Sequence, residues 1–175
     1  DFPVFYKDSM VFVTNGQTQD VKLITYGQDA IVFDGQSLTE NTTFTAAKPY
    51  LIFNYLHIKE GKTLTLEPGT RLFFHDKANL VIDGNLFSNG TLENPVVMRT
   101  DRFDKLPDVD KTPYDYMPGQ WGGIYLQNSK AVHQLNYTSI RGCDLGVVIV
   151  GTASTHPKLI MKNCVLHCMT QYGLY

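Results

Sequence analysis

The sequence predicts an all-β protein in which short parallel strands wind into a β-solenoid. Thr, Val and Ile, which favour strands, number 17, 14 and 9, whereas the helix formers Ala and Glu number only 6 and 4. No stretch of about twelve residues repeats its apolar positions with the 3.6-residue period of a helix. Instead, short apolar or alternating segments are separated by Gly, Asn, Asp and Pro, which are typical of turns.

The N-terminal part, residues 1–34, predicts two strands joined by a turn. Ser9–Thr14 and Val21–Tyr26 are rich in apolar and β-branched residues, and Asn15-Gly16 between them is a strong turn signal. We expect the connection to be longer than a two-residue hairpin turn. The next segment is polar, so we predict a linker over residues 35–49.

From residue 50 to residue 175 the predicted strands are shorter, and the turn signals lie closer together. Strands of roughly three to five residues alternate with turn residues too closely for a β-sandwich, in which turns recur about every 8–12 residues. A chain that bends after each short strand is typical of a solenoid. The predicted strands at the start of this region are Tyr50–Ile58, Leu64–Leu66, Arg71–Phe74, Leu80–Ile82, Leu86–Phe87 and Pro95–Met98.

Three later segments resemble one another and support the solenoid. Trp121–Leu126, Asp144–Ile149 and Gln171–Tyr175 each contain a glycine followed by an apolar residue, at spacings of 23 and 27 residues. Ile140–Gly142 likewise aligns with Leu166–Cys168, 26 residues later. One turn of a parallel β-helix takes roughly this many residues, although chance similarity between strands of a sandwich is the alternative. The aligned rows are Gly123, Gly146 and Gly173, and Ile124, Val147 and Leu174. The residues that we expect to share one core are Leu64, Leu66, Phe73, Leu80, Ile82, Val97, Ile124, Val147 and Leu174.

The composition argues against several classes of function. The formal net charge is −2, and the 15 Lys and Arg residues are scattered, which makes nucleic-acid binding a poor fit. No apolar run approaches the roughly eighteen residues of a membrane-spanning helix. Three cysteines, Cys143, Cys164 and Cys168, are too few and too irregular for a disulfide framework. We interpret them as buried small hydrophobic residues and expect no metal, because a second spaced pair of ligands is missing.

Several motifs resemble a family of Bacteroidetes surface lipoproteins. Residues 63–74 (TLTLEPGTRLFF), 80–91 (LVIDGNLFSNGT), 94–98 and 119–126 (GQWGGIYL) resemble the right-handed parallel β-helix region of that family. Residues 8–30 (DSMVFVTNGQTQDVKLITYGQDA) resemble the last strands of the immunoglobulin-like domain that precedes the β-helix there. The resemblance implies a protein of the bacterial outer membrane that faces outward from the cell surface. It also implies a lipid anchor, which would lie outside this chain.

The segment 100–119 is a long insertion between predicted strands and is the main candidate site. A solenoid places such insertions on one face, which is often the binding face. Aromatic rings beside carboxylates can stack on a sugar and hydrogen-bond to it, or contact a protein partner. The candidate binding residues are Tyr114, Asp115, Tyr116 and Trp121.

Two alternatives remain for this insertion. Its carboxylates, Asp101, Asp104, Asp108, Asp110 and Asp115, could hold Ca²⁺, which prefers six to eight oxygen ligands. We expect no other cofactor. The insertion could also be a solvated loop whose aromatic side chains merely fix it to the wall of the solenoid.

Two classes of function stay open. The first is a non-catalytic surface protein that binds protein partners or glycans, as a subunit of an outer-membrane complex. The second is a carbohydrate-active enzyme, a polysaccharide lyase or hydrolase, because such enzymes occur on β-helices. The sequence contains no nucleophile-elbow, zinc-protease or phosphate-loop motif, and we identify no catalytic residue. Paired carboxylates in a concave groove would favour the enzyme, and exposed aromatic side chains on a flat wall would favour the binding protein.

Two further expectations concern the ends of the chain. Asp8-Ser9-Met10 resembles the Bacteroidetes O-glycosylation motif, which makes Ser9 a candidate for modification. The last predicted repeat stops within a strand, at Tyr175, without a polar cap. We therefore expect the chain to be part of a longer protein.

Overall fold

The computed structural model describes residues 4–27, 29–105, 112–128, 130–151 and 155–175, and its regular structure is almost entirely β. These residues form sixteen strands and one short 3₁₀ turn, Tyr114–Tyr116. The chain divides into two compact units, the first ending at Ala30 and the second beginning at Ile31. The described part of the chain contains no helix long and apolar enough to cross a membrane.

The first unit contains one antiparallel hairpin made of β1 (Val4–Thr14) and β2 (Gln17–Gly27). Asn15 and Gly16 alone connect the two strands, with φ of 50° and 74°. Positive φ at both positions is the geometry of the type I′ turn, which Asn-Gly favours. The expectation of a longer connection was therefore wrong.

The second unit is built of fourteen described strands. All of them contain only three to nine residues, so each must bury its apolar face against strands that are distant in sequence. They are β3 (Ile31–Leu38), β4 (Thr42–Phe44), β5 (Tyr50–Ile58), β6 (Thr63–Leu66), β7 (Arg71–Phe74), β8 (Asn79–Ile82), β9 (Asn85–Asn89), β10 (Val96–Thr100), β11 (Trp121–Leu126), β12 (His133–Asn136), β13 (Thr138–Arg141), β14 (Cys143–Ile149), β15 (Leu159–Lys162) and β16 (Val165–His167).

These strands form three parallel stacks through which the chain passes repeatedly in the same order. The first stack contains the start of β3 and of β5, then β7, β10, β13 and β16. The second contains the ends of β3 and β5, then β8, β11 and β14. The third contains β4, β6, β9, β12 and β15. We call one passage through the stacks a coil; parallel stacking of this kind fits a β-helix-like fold.

The chain changes direction at three corners, which we number by the stack that they follow. At the first corner every coil contains a residue with left-handed backbone, a conformation that turns the chain sharply and favours Gly and Asn. In coil order these residues are Gly35, Asn54, Lys77, Gly119, Gly142 and Cys168. Local backbone chemistry therefore sets the bend between the first and second stacks.

The parallel register confirms the predicted column of apolar residues, but the predicted alignment of Gly123 with Gly146 was wrong, because a bulge after Gly123 pairs it with Leu145 instead. Ile124 pairs with Val147, and an isolated parallel bridge joins Val147 to Leu174. Ile140 likewise pairs with Leu166. Antiparallel pairing of these segments would have excluded a solenoid, and it does not occur.

Most of the predicted core residues are buried, but two face outward. Leu64, Leu66, Leu80, Ile82, Ile124 and Val147 are fully buried. Phe73 lies between the inward residues Leu72 and Phe74, and Val97 lies between Val96 and Met98, so the prediction of their direction was wrong by one position. Phe73 is nevertheless only 8% exposed, because Phe103 packs on it from outside. Leu174 is in the expected column but remains 54% exposed.

The predicted linker, residues 35–49, is also corrected. It contains the second half of β3 and all of β4, both paired in parallel with the next coil. Phe44 is buried and stacks on Tyr50, with ring centroids 3.8 Å apart. The polar side chains of this segment face outward, which hides the strand pattern in the sequence. The boundary between the units therefore follows Ala30 rather than residue 34.

Among the residues that the structure describes, one polar side chain of the core has no hydrogen-bond partner. His133 on β12 is fully buried, in register with Leu86 and Leu159, and neither ring nitrogen has a hydrogen-bond partner. Burial lowers the pKa of His133 to about 4, so the ring is neutral near pH 7. By contrast, the buried hydroxyls of Ser88 and Thr138 lie 2.7 Å apart and hydrogen-bond to each other.

Candidate binding surface

The insertion lies at the first corner of the fourth coil. Twenty residues, 101–120, connect β10 to β11, whereas the preceding coil uses 75–78 and the following coil uses only Gly142. Residues 106–111 lie outside the described residues. The remaining parts of the insertion contact the outer face of the first stack, where they meet a row of four side chains.

That row runs along the stack from coil three to coil six. Phe73 pairs with Arg99, and Arg141 pairs with His167. Met98 pairs with Ile140, which places Arg99 next to Arg141. The row therefore presents one aromatic ring, two guanidinium groups and one imidazole to the insertion.

Asp115 joins the insertion to both arginines of this row. Its Oδ2 accepts a hydrogen bond from Arg141 Nε at 2.8 Å and lies 3.0 Å from Arg99 Nη1. Asp115 is 4% exposed, and both arginine side chains are largely covered. Burial lowers the pKa of Arg99, and the Asp115 carboxylate opposes this effect. One buried carboxylate thus holds two neighbouring coils and the insertion together.

Aromatic contacts fix the first arm of the insertion. Phe103 packs edge-on against Phe73, with centroids 5.0 Å apart, and Arg99 lies 4.6 Å from the Phe103 ring centre. Arg102 lies 3.3 Å from the ring centre of Tyr114 and makes two hydrogen bonds to Asp104. Cations over aromatic faces are stabilising contacts, so this arm is held by several weak interactions at once.

Tyr116 remains accessible beside the buried group of Asp115, Arg99 and Arg141, which we call the clamp. It is 53% exposed, and its ring lies 5.5 Å from that of His167 at an angle of 41°. Burial and the nearby Arg141 charge lower the pKa of His167. His167 Nδ1 also lies 3.2 Å from Cys168 Sγ. We define the insertion surface as Phe103, Tyr114, Tyr116, Arg102 and His167.

Two of the four predicted binding residues have structural roles instead. Trp121 is fully buried, stacks on Phe74 at 4.1 Å, and donates its indole N–H to the carbonyl of Arg141 at 2.9 Å. Its ring is therefore not part of a surface platform, which corrects the expectation. Asp115 is part of the buried clamp described above. Tyr114 and Tyr116 do lie on the surface side of the insertion.

Arg99 and Arg141 belong to the site but were not predicted from the sequence. Arg141 and His167 were already aligned by the repeat, so their shared outer row was available from the sequence. The place of Arg99 in that row could not be predicted from the sequence, because the insertion interrupts the regular spacing between coils.

Metal ligands do not converge within the described part of the chain, where no group of three or more His, Cys, Asp or Glu side chains could hold an ion. The calcium hypothesis also involves Asp108 and Asp110, which lie outside the described residues. Cys143 is buried, and burial raises its pKa to about 12. Cys164 Sγ lies 3.3 Å from the carbonyl oxygen of Leu135.

Ser9, the candidate modification site, lies on β1 and is exposed. Its backbone N–H donates to Asp8 Oδ1 at 2.8 Å. Its modification remains a prediction.

Comparison with known proteins gives one partial similarity. Over 89 residues, 51% of this chain, the sequence is 32% identical to the Drosophila melanogaster protein named "Protein bark beetle". The chain spans only 3% of the length of that protein. No protein-family model matches the sequence. No solved structure matches it either.

Proposed function

We propose that this chain belongs to a non-catalytic protein of the bacterial cell surface that binds protein partners or glycans through the insertion surface. The observation that carries the proposal is the combination of a buried clamp with exposed aromatic rings. Asp115 is fixed by Arg99 and Arg141, while the adjacent Tyr116 stays 53% exposed. Aromatic side chains held rigidly at a surface are typical of binding sites.

Rigidity is what distinguishes this surface from an ordinary loop. Binding a mobile loop costs conformational entropy, and a loop that is already ordered avoids that cost. Six backbone amides of the insertion donate hydrogen bonds to carbonyls, including Asp101 to Phe74 at 3.0 Å at one end and Gln120 to Gly142 at 2.7 Å at the other. Both ends of the insertion are therefore attached to the stack.

The chemistry of the surface fits two kinds of ligand. Phe103 and Tyr116 supply ring faces on which a sugar or an aromatic side chain can stack. Arg102, over the ring of Tyr114, and His167, beside the ring of Tyr116, supply hydrogen-bond donors. A glycan uses both features, and so does the hot spot of a protein interface, where Tyr and Arg are enriched.

The proposal also covers the fold and the location. We propose that the second unit is a right-handed parallel β-helix and that the first unit supplies terminal strands of an immunoglobulin-like domain. The parallel register of the three stacks and the β1–β2 hairpin support these assignments. The resemblance of residues 8–30, 63–74, 80–91, 94–98 and 119–126 to Bacteroidetes surface lipoproteins supports a place in an outer-membrane complex, with a lipid anchor outside this chain.

The test is a binding comparison of the intact protein and its variants. The protein would be used to capture outer-membrane proteins, identified by mass spectrometry, and probed on a glycan array. Tyr116→Ala should lose the captured partner or glycan while its melting temperature stays unchanged. Tyr55→Ala, at an exposed tyrosine of the second stack, is the matched control and should bind normally. Equal binding by both variants and the wild type would contradict the proposal.

A further inference from the structure

A polar cleft opens at the second corner of the coils and shares no residue with the insertion surface. Its volume is about 220 Å³. Three successive coils form it, because their connections there differ in length: residues 59–62, 83–84 and 127–132. The shortest connection forms the floor, and the longer ones form the two walls. The lining residues are Glu60, Gly61, Asp83, Gly84, Asn85, Asn128, Lys130 and Ala131.

Gly84, at the floor of the cleft, allows its connection to lie directly against the backbone of the preceding coil. A Cβ on Gly84 would lie 2.0 Å from the backbone oxygen of Lys62, so no side chain fits there. Gly61 at one wall has a φ of 74° and open space around it. Neither glycine has a side chain that could occupy the cleft, whose other lining residues are mostly polar.

Those polar side chains are held in place by their neighbours. Asp83 Oδ2 lies 2.6 Å from His57 Nε2, and Asn85 Oδ1 accepts the N–H of Val132 at 3.0 Å. Asn128 Oδ1 accepts the N–H of Lys130 at 2.9 Å. Its Nδ2 donates to Glu60 Oε1 at 3.4 Å, which links the two walls. The cleft therefore presents fixed acceptors together with the ammonium group of Lys130.

We propose that this cleft binds a neutral saccharide. Carboxylate and amide oxygens accept hydrogen bonds from sugar hydroxyls, and Lys130 donates to them, so alternating donors and acceptors match a hydroxyl-rich ligand. An anion would meet the two carboxylates, Glu60 and Asp83. A divalent cation would find only those two carboxylates, whereas Ca²⁺ takes six to eight oxygens.

The experiment measures saccharide binding by saturation-transfer difference NMR on the intact protein. The probes are neutral disaccharides: cellobiose, maltose, xylobiose and diacetylchitobiose. Glu60→Gln, which replaces a charged acceptor by a neutral one, should weaken binding severalfold, and Asn128→Ala, which removes one good hydrogen bond, should weaken it by about tenfold. Asp76→Asn and Asn94→Ala make the same chemical changes at exposed residues outside the cleft and should bind like the wild type.

Each other outcome contradicts the inference. No binding of any probe would overturn it, and so would binding that Glu60→Gln and Asn128→Ala leave unchanged. If Tyr116→Ala alone abolished binding, the saccharide would lie on the insertion surface; that result would support the proposed function and refute the cleft. Thermal stabilisation by CaCl₂ that Glu60→Gln removes, without saccharide binding, would assign the cleft to a cation.

Discussion

At the scale of single residues, the direction of a side chain matters more than its type. Trp121 and Asp115 belong to residue types that suit a ligand platform, yet one is buried in the core and the other is a buried ion-pair partner. Tyr116, next to Asp115 in the sequence, is exposed. The sequence predicted which segment carries the surface, but it could not separate these roles, because they depend on which neighbour each side chain meets.

The clamp predicts a large effect from a small change at Asp115. Asp115→Asn leaves the largely covered Arg99 and Arg141 side by side without a counter-charge. Removing one partner of a buried ion pair costs roughly 3 kcal/mol or more, so the free energy of unfolding should fall by about that amount. Urea unfolding measures it. Asp104→Asn, at an exposed carboxylate paired with Arg102, should change stability by less than about 1 kcal/mol.

His133 predicts a loss of stability in mild acid. Burial lowers its pKa in the folded state to about 4 from the ordinary value of 6.5, so the unfolded state binds more protons between these values. Its contribution is complete above pH 6.5 and decreases as the pH falls towards 4. The total loss is roughly 3 kcal/mol, at about 1.36 kcal/mol for each unit of pKa shift.

Unfolding free energies of the wild type and His133→Leu between pH 7 and pH 4 test this effect. The variant should lose the His133 part of the pH dependence. The unfolding free energy of His133→Leu minus that of the wild type should therefore become more positive as the pH falls. A constant difference across this range would show that His133 does not titrate as described.

At the scale of elements, the repeat pattern predicted the stacking, but not every direction along a strand. Ile124, Val147 and Leu174 form the expected column. Their alignment could be recognised in the sequence because a glycine precedes each of them. β7 and β10 contain consecutive apolar residues, Leu72–Phe74 and Val96–Met98, and give no alternation that would show which face is inside. Phe103 and Arg99 then cover Phe73 on the outside, a contact that no local pattern reveals.

The aligned glycines Gly146 and Gly173 should differ in how well each tolerates substitution by alanine. A Cβ on Gly146 would lie 2.1 Å from the backbone oxygen of Gly173, so Gly146→Ala should destabilise the protein by about 2 kcal/mol. A Cβ on Gly173 would meet only Leu166 side-chain atoms, at 3.7 Å and beyond. Gly173→Ala should therefore leave the unfolding free energy nearly unchanged. Equal effects in denaturant unfolding would contradict the register between β14 and the last coil.

At the scale of the whole molecule, the second unit combines a regular wall with one large insertion. The all-β class, the parallel strands and the position of the insertion could be predicted from composition, turn spacing and repeats. The start of the second unit could not, because β3 and β4 present polar residues outward and resemble a linker. The cleft at the second corner could not be predicted either, since it depends on three connections that are distant in sequence.

The central claim is that the insertion is an ordered surface fixed by Asp115, and hydrogen exchange measures this most directly. The amides of Tyr114, Tyr116, Met117, Gly119 and Gln120 in the intact protein should exchange much more slowly than in an unstructured peptide, because they donate to carbonyls of the insertion and the stack. In Asp115→Asn that protection should be lost, while the amides of β5 and β8 stay protected. Exchange of these insertion amides at the unstructured rate in the wild type would contradict the account.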